Sequence, residues 1–257
     1  MLSIGPAGLG SVKDAIATLE MYKSLGFGVC EIAFTYGIYI KRREDAEKIG
    51  RAAKKLNIDL TIHAQYWINL NSAERPKVEA SKQRILRCLE VGTWLGAKLV
   101  VFHPGYYSKM EKTESYENIK REILELQKIR KEKKYTPKLA PETTGKVNVF
   151  GSIDEIKQLV EDTGCVFCID FAHLLARYKS YKFDEIKKKF GKYSSWHVHF
   201  SGIEYGDKGE KHHVETSSEQ IRKLLDNLPR NKKITIISEA PNPVKDAVKI
   251  IDLDGKK

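Results

Sequence analysis

The sequence predicts a single (β/α)8 barrel, and three observations predict it. Eight short apolar runs alternate with stretches of helical periodicity. The runs are nearly continuous in apolar residues, as parallel strands covered by helices must be. The length, 257 residues, matches the ~250 that one such barrel takes. An open doubly wound sheet is the alternative, but no G-x-G-x-x-G follows the first run and no linker divides the chain.

The expected strands are Leu2–Gly5, Val29–Phe34, Ile58–Ile62, Lys98–Phe102, Lys138–Pro141, Val166–Ile169, Trp196–Phe200 and Ile234–Ser238. The first connection carries Val12, Ala15, Ile16, Leu19, Tyr22 and Leu25 as one helical stripe. Helices are expected next at Glu44–Leu56, Ser81–Leu95, Tyr116–Lys131, Ile153–Asp162, Phe183–Phe190 and Ser218–Leu228. A short one near Val244–Ile251 closes the chain. Ser152 with Glu155 three residues on is a capping box. Gly26, Gly96 and Gly164 sit where helix-ending glycines are favoured. Lys128–Lys138, the longest charged stretch, reads as a helix end plus loop.

With 41% hydrophobic and 31% charged residues the chain is globular rather than disordered. Lys and Arg number 45 against 34 Asp and Glu, a net charge of +11. That excess suits nucleic acid or a phosphorylated substrate, and equally a solvated lysine-rich surface. No run approaches the ~20 apolar residues of a membrane span. The start, MLSIGPAGLGSVKD, lacks the basic region and apolar core of a signal peptide, so a cytoplasmic location is expected. Cys165 and Cys168 form a C-x-x-C in an apolar strand. Residues i and i+3 of a strand face opposite ways, so these thiols are expected to be structural.

The chemistry lies in where the imidazoles and carboxylates fall. His63, His103, Glu142, Asp170 and Glu239 each end an expected strand, with His173 three residues after Asp170. His197 and His199 lie on the seventh strand, and Glu210, His212 and His213 follow in its loop. In a barrel all strand carboxyl ends meet on one face. Imidazole and carboxylate together select zinc, manganese or iron. With one of His197 and His199 counted and His213 set aside as a neighbour, five His and four Asp or Glu remain, more than one ion needs, and two or three ions sharing carboxylates would use them. Such a cluster suits in-line hydrolysis of a phosphodiester.

The segments HAQYWINL, VFHPG, PETTGK, CIDFAH, HVHFSG, GEKHH and SEAPN together resemble the ordered motifs of the endonuclease IV family. That family sits within the xylose-isomerase-like TIM barrels, and the GPAG start and HFSGIEY segment are similar to its archaeal-type branch. The resemblance runs from about residue 2 to residue 250. It implies a zinc-dependent DNA-repair enzyme that cuts 5′ to an abasic site in double-stranded DNA and leaves a 3′-hydroxyl. It implies up to three zinc ions, with manganese able to share the ligands. His63, His103 and Glu142 would hold the first. Glu142 would bridge to a second, completed by Asp170, His197 and Glu239. His173, Glu210 and His212 would hold the third. His197 is preferred to His199 because its spacing to Glu210 and His212 matches the family. A hydroxide between the first two ions would be the nucleophile, with Glu142 as the catalytic carboxylate beside it.

Some positions depart from the family. Glu210-Lys211-His212 replaces D-R-H, and the histidine of the first strand is absent. Tyr66 and Trp67 take the third-loop place where side chains enter the DNA stack, although Trp67 replaces a smaller residue. FTYGIYIKRRE does not align with the arginine used by the second loop. The family implies a monomer. The competing readings are a sugar isomerase or epimerase of the same superfamily, using one metal, and a metal-stabilised nucleic-acid-binding barrel.

Overall fold

The structure, a computed structural model, describes residues 2–255. The elements in chain order are β1 (Leu2–Pro6), α1 (Ala15–Ser24), β2 (Val29–Ala33), α2 (Arg43–Lys55), β3 (Asp59–His63), α3 (Arg75–Leu95) and β4 (Leu99–Phe102). Next come α4 (Lys112–Glu132), β5 (Lys138–Pro141), α5 (Ile153–Thr163), β6 (Cys168–Asp170), α6 (Phe171–Tyr178) and α7 (Phe183–Phe190). The chain finishes with β7 (Ser195–Phe200), β8 (Gly202–Gly206), β9 (Gly209–Val214), α8 (Ser218–Asn227), β10 (Lys233–Ser238) and α9 (Pro243–Asp254).

Eight parallel strands close the barrel. Two four-stranded arcs, β1-β10-β7-β6 and β2-β3-β4-β5, are joined by the bridges Ala7↔Glu31 and Glu142↔Cys168. The eight expected strands are all present with bounds shifted by a residue or two. The expected helices are present too, and α3 begins six residues earlier than Ser81, with Pro76 in its first turn. Lys133–Pro137 is the loop expected between α4 and β5. Ser152 and Glu155 form the capping box, worth about 1 kcal/mol to α5. Gly96 and Gly164 end α3 and α5 in the left-handed conformation.

Two features were not expected. Phe171–Tyr178 folds as a helix directly off β6, because Asp170 Oδ1 accepts from the His173 amide and caps it. The GIEYGDKGEKHHV segment, read as a loop, is the antiparallel hairpin β8–β9. Its register slips between Glu204 and Tyr205, so that Lys211 is an extra residue on β9.

The main apolar core lies outside the barrel wall. Ile32, Val198 and Ile236 from the strands share one buried cluster with Leu19, Leu89 and Leu224 from the helices. The inward strand positions are different: Val101, Ala140 and Cys168 form a small patch of their own, and the rest is largely polar. All four cysteines are buried and free, and Cys165 precedes β6 while Cys168 lies within it. No helix among the described residues is long and apolar enough to cross a membrane.

Candidate metal centre

Each site residue arrives at the carboxyl end of the barrel by the same logic. A strand runs inward-facing at alternate positions, and its last inward residue meets its neighbours at the mouth. His63 closes β3, His103 follows β4, Glu142 follows β5, Asp170 closes β6 and Glu239 follows β10. Glu142 is fully buried at the centre. Its Oε2 lies 3.2 Å from His63 Nε2 and 3.0 Å from His103 Nε2. Its Oε1 lies 2.9 Å from His199 Nδ1. Glu239 Oε2 is 3.4 Å from the same nitrogen.

Four overlapping donor groups meet at the mouth. His63, Glu142 and His199 form one, and His103, Glu142 and His173 another. Glu142, Asp170, His199 and Glu239 make a third, and Asp170, His173 and His213 a fourth. Within each group the donor atoms lie within 4.8 Å of one another. Glu210 Oε2 stands 3.5 Å from His173 Nε2 at the edge of the last.

Two expected ligands are placed elsewhere. His197 faces into the barrel but two residues below His199, about 6–7 Å nearer the amino end. There it pairs with Glu31, with its Nε2 3.1 Å from Glu31 Oε2, and lines a separate cavity at the amino end. His199 takes the place on β7 expected of His197. His212 is exposed and faces Glu204 at 3.8 Å, away from the centre. The extra residue at Lys211 breaks the alternation, so Glu210 and His213 share the inward side instead. His213 Nδ1 is 2.5 Å from Ser201 Oγ, and its ring centroid is 5.4 Å from that of His173.

The hairpin can come this close because two glycines let it. A Cβ on Gly145 would lie 2.7 Å from Glu210 Cβ, and one on Gly209 would lie 2.2 Å from the Gly145 carbonyl. Both are closer than any side chain permits.

Electrostatics shows a site short of positive charge. Burial pushes the Asp170 carboxyl up to about 8, helped by repulsion from Glu142 and Glu239. Burial also acts against ionised Glu142 and Glu239, but His199 and the other imidazoles win. Glu142 is held well below the usual carboxylate value and Glu239 at about 2. His63 is raised to about 9 because Glu142 outweighs the effect of its burial. Asp170 Oδ2, His173 Nε2 and His199 Nδ1 are buried without a hydrogen-bond partner among the described residues. Unpaired polar atoms at such depth cost several kcal/mol between them, ~1–3 each. Bound cations would satisfy all three atoms and offset the carboxylate repulsion, so the donor set fits divalent metal ions. The outer ring nitrogens are already fixed: His63 Nδ1 donates to the Ala64 carbonyl at 2.8 Å, and His173 Nδ1 to that of Thr143 at 2.9 Å. Cys168, His197 and His199 also approach one another lower in the barrel, but burial keeps the Cys168 thiol protonated.

Above the cluster a cavity of about 260 Å³ opens, walled by Tyr66, Tyr106, Lys146, His173 and Glu239 among others. Tyr66 lines it and is exposed, as are its sequence neighbour Trp67 and Tyr36, whose ring meets that of Tyr66 edge-on at 5.6 Å. Asn71 ties the Tyr106 carbonyl at 2.9 Å, and Arg177 binds the Lys146 and Val149 carbonyls at 2.7 and 2.9 Å, holding the rim loops.

The family model of xylose isomerase-like TIM barrels matches residues 19–249. An uncharacterised protein of Methanocaldococcus jannaschii is 36% identical over 96% of this chain and 95% of its own length. A probable endonuclease 4 of Mycobacterium marinum is 27% identical over 67% of each chain. Among solved structures, endonuclease IV from Thermus thermophilus superposes with a TM-score of 0.72 at 20% identity, covering 99% of this chain and 97% of that one. The 3-keto-D-glucoside 4-epimerase of E. coli does so with a TM-score of 0.72 at 12% identity, covering 99% and 100%. At those identities the superpositions speak for the fold alone. The family match spans most of the barrel whose strand ends carry the donor groups, and the chain belongs to the xylose isomerase-like TIM barrel family.

Proposed function

We propose that the protein is a metal-dependent abasic-site endonuclease, cutting double-stranded DNA 5′ to the lesion and leaving a 3′-hydroxyl. The observation that carries this reading is the number of donors: four overlapping groups, linked through Glu142, Asp170, His173 and His199, offer more than a one-ion isomerase uses. His63, His103 and Glu142 would hold a first ion, and Glu142, Asp170, His199 and Glu239 a second. His173, His213 and Asp170, with Glu210 at the edge, would hold a third. Zinc suits these donors, and manganese shares them. Bound there, the ions would act as Lewis acids on the phosphodiester.

The chain's own groups do the positioning. Glu142 stays ionised with both oxygens engaged by imidazoles, so it holds His63, His103 and His199 in place. A cavity of about 260 Å³ is far too small for a duplex, so in this reading the target nucleotide would leave the helix. Tyr66 and Trp67, both exposed, would stack on the bases it leaves, and the net charge of +11 suits the DNA backbone. This reading describes a cytoplasmic monomer.

Incision of a duplex carrying one abasic site, with zinc or manganese added, tests it. The expected product is a strand break 5′ to the lesion with a 3′-hydroxyl, abolished by a chelator. Absence of incision with both metals overturns the reading. One observation favours a second, a sugar epimerase: Glu142, Asp170, His199 and Glu239 already make a complete four-donor site. Metal content separates them, about three ions per chain for the nuclease and about one for the epimerase.

A further inference from the structure

We infer that Glu31 is a positioning residue for the metal centre, fixing the His199 ring with Nδ1 turned toward Glu142 and Glu239. The inference rests on the metal-binding reading above. Glu31 lies on β2, within none of the segments that flag the site in sequence, and is wholly buried. A buried carboxylate is retained only where its partners repay its lost hydration.

Its partners divide between its two oxygens. Oε2 accepts from the Thr61 hydroxyl at 2.8 Å and lies 3.1 Å from His197 Nε2. Oε1 lies 3.0 Å from His199 Nε2. That contact is oblique, and neither atom has an aligned hydrogen-bond partner among the described residues. His199 is therefore the mirror of His63 and His173. In those two rings a backbone carbonyl holds Nδ1 and Nε2 faces the centre. In His199 a carboxylate oxygen stands 3.0 Å behind Nε2 and Nδ1 faces the centre. A carboxylate behind a ligand imidazole fixes its tautomer and raises its basicity, and loss of such a partner costs roughly 10–100-fold in metal affinity.

The two-oxygen arrangement makes Glu31→Gln an informative change. A glutamine offers one acceptor and one donor. Thr61 and His197 both donate on the Oε2 side, so the amide oxygen stays there. The NH2 then faces His199 Nε2, which must give up its proton to accept from it. The proton moves to Nδ1, the atom the metal would need.

Zinc affinity is measured on the whole chain by competition with a chromophoric chelator, and the cobalt-substituted protein is followed by its d–d absorption. Glu31→Gln is expected to weaken one ion by about 10–100-fold and to shift the cobalt bands. Thr61→Val, in the same hydrogen-bonded group, is expected to leave both within about threefold of wild type. Equal affinity and an unchanged cobalt spectrum in Glu31→Gln overturn the role of Glu31 alone. A wild-type chain that takes up neither metal overturns the metal reading and this inference with it. Should Glu31→Gln fail to fold, ¹⁵N-histidine spectra of the zinc-loaded wild type decide. A protonated Nε2 and a zinc-bound Nδ1 on His199 support the inference, and the reverse overturns it.

Discussion

His197 and His199 stand two residues apart on one strand, face the same way and are both buried, yet their surroundings differ in kind. At the lower level His197 pairs with Glu31, a carboxylate also held by Thr61, and burial shifts the ring toward its neutral form. At the upper level His199 stands among Glu31, Glu142 and Glu239 and is held well above its usual value, because those carboxylates outweigh its burial. Neither of its nitrogens has an aligned partner among the described residues. His197 is thus hydrogen-bonded, whereas the buried atoms without an aligned partner include Glu31 Oε1 between the two levels and Asp170 Oδ2, His173 Nε2 and both His199 nitrogens above it. Several such atoms gathered among carboxylates distinguish the upper level from the lower.

The largest effect that sharpens this contrast is expected at Glu142. Glu142→Gln removes a charge shared among the upper groups and leaves the apolar core outside the barrel untouched. Incision should fall by about 10³-fold or more with the cooperative melt retained. Activity within about threefold of wild type would remove Glu142 from the centre.

The contrast breaks most directly on the two histidines themselves. His199→Ala should lose bound metal and at least about 100-fold in incision. His197→Ala should keep its metal content and lose about 1–3 kcal/mol of stability, because Glu31 forfeits one partner. Metal analysis and thermal melts on the pair distinguish the two, and the opposite pattern would return the strand-β7 ligand to His197.

A similar pair sits on the hairpin. His213→Ala should lower the metal count by about one and slow incision about tenfold or more. His212→Ala, on the outer face, should change neither beyond about twofold. The smallest effect is expected from Gly145→Ala, which pushes β9 and Glu210 away from His173 without removing a donor. It should weaken the third ion by a few-fold, about 1 kcal/mol by the usual conversion, with the other two unchanged. Unaltered third-site affinity would mean that the hairpin has room to give.

Much of this was legible before any coordinates. The period of the apolar runs, Ser152 with Glu155, and the placing of His63, His103, Glu142, Asp170 and Glu239 at strand ends are local facts, and each holds. Asp170 with His173 is legible as D-x-x-H, although its second purpose, capping α6, shows only in the backbone. Glu31 left no trace, since one acidic residue inside VCEIAF carries no pattern. Its importance comes from residues 30, 166 and 168 positions further along the chain: Thr61, His197 and His199.

The sequence by itself determined which strands make the barrel and which end carries the imidazole and carboxylate donors, because side-chain alternation and strand direction are written residue by residue. It could not choose between His197 and His199, since both satisfy the same alternation and only depth in the closed barrel separates them. The family resemblance gave His212, as the counterpart of the histidine in D-R-H, and the extra residue at Lys211 puts His213 rather than His212 on the inward side with Glu210. Depth and register are properties of strands packed against each other, and only the tertiary structure could decide them.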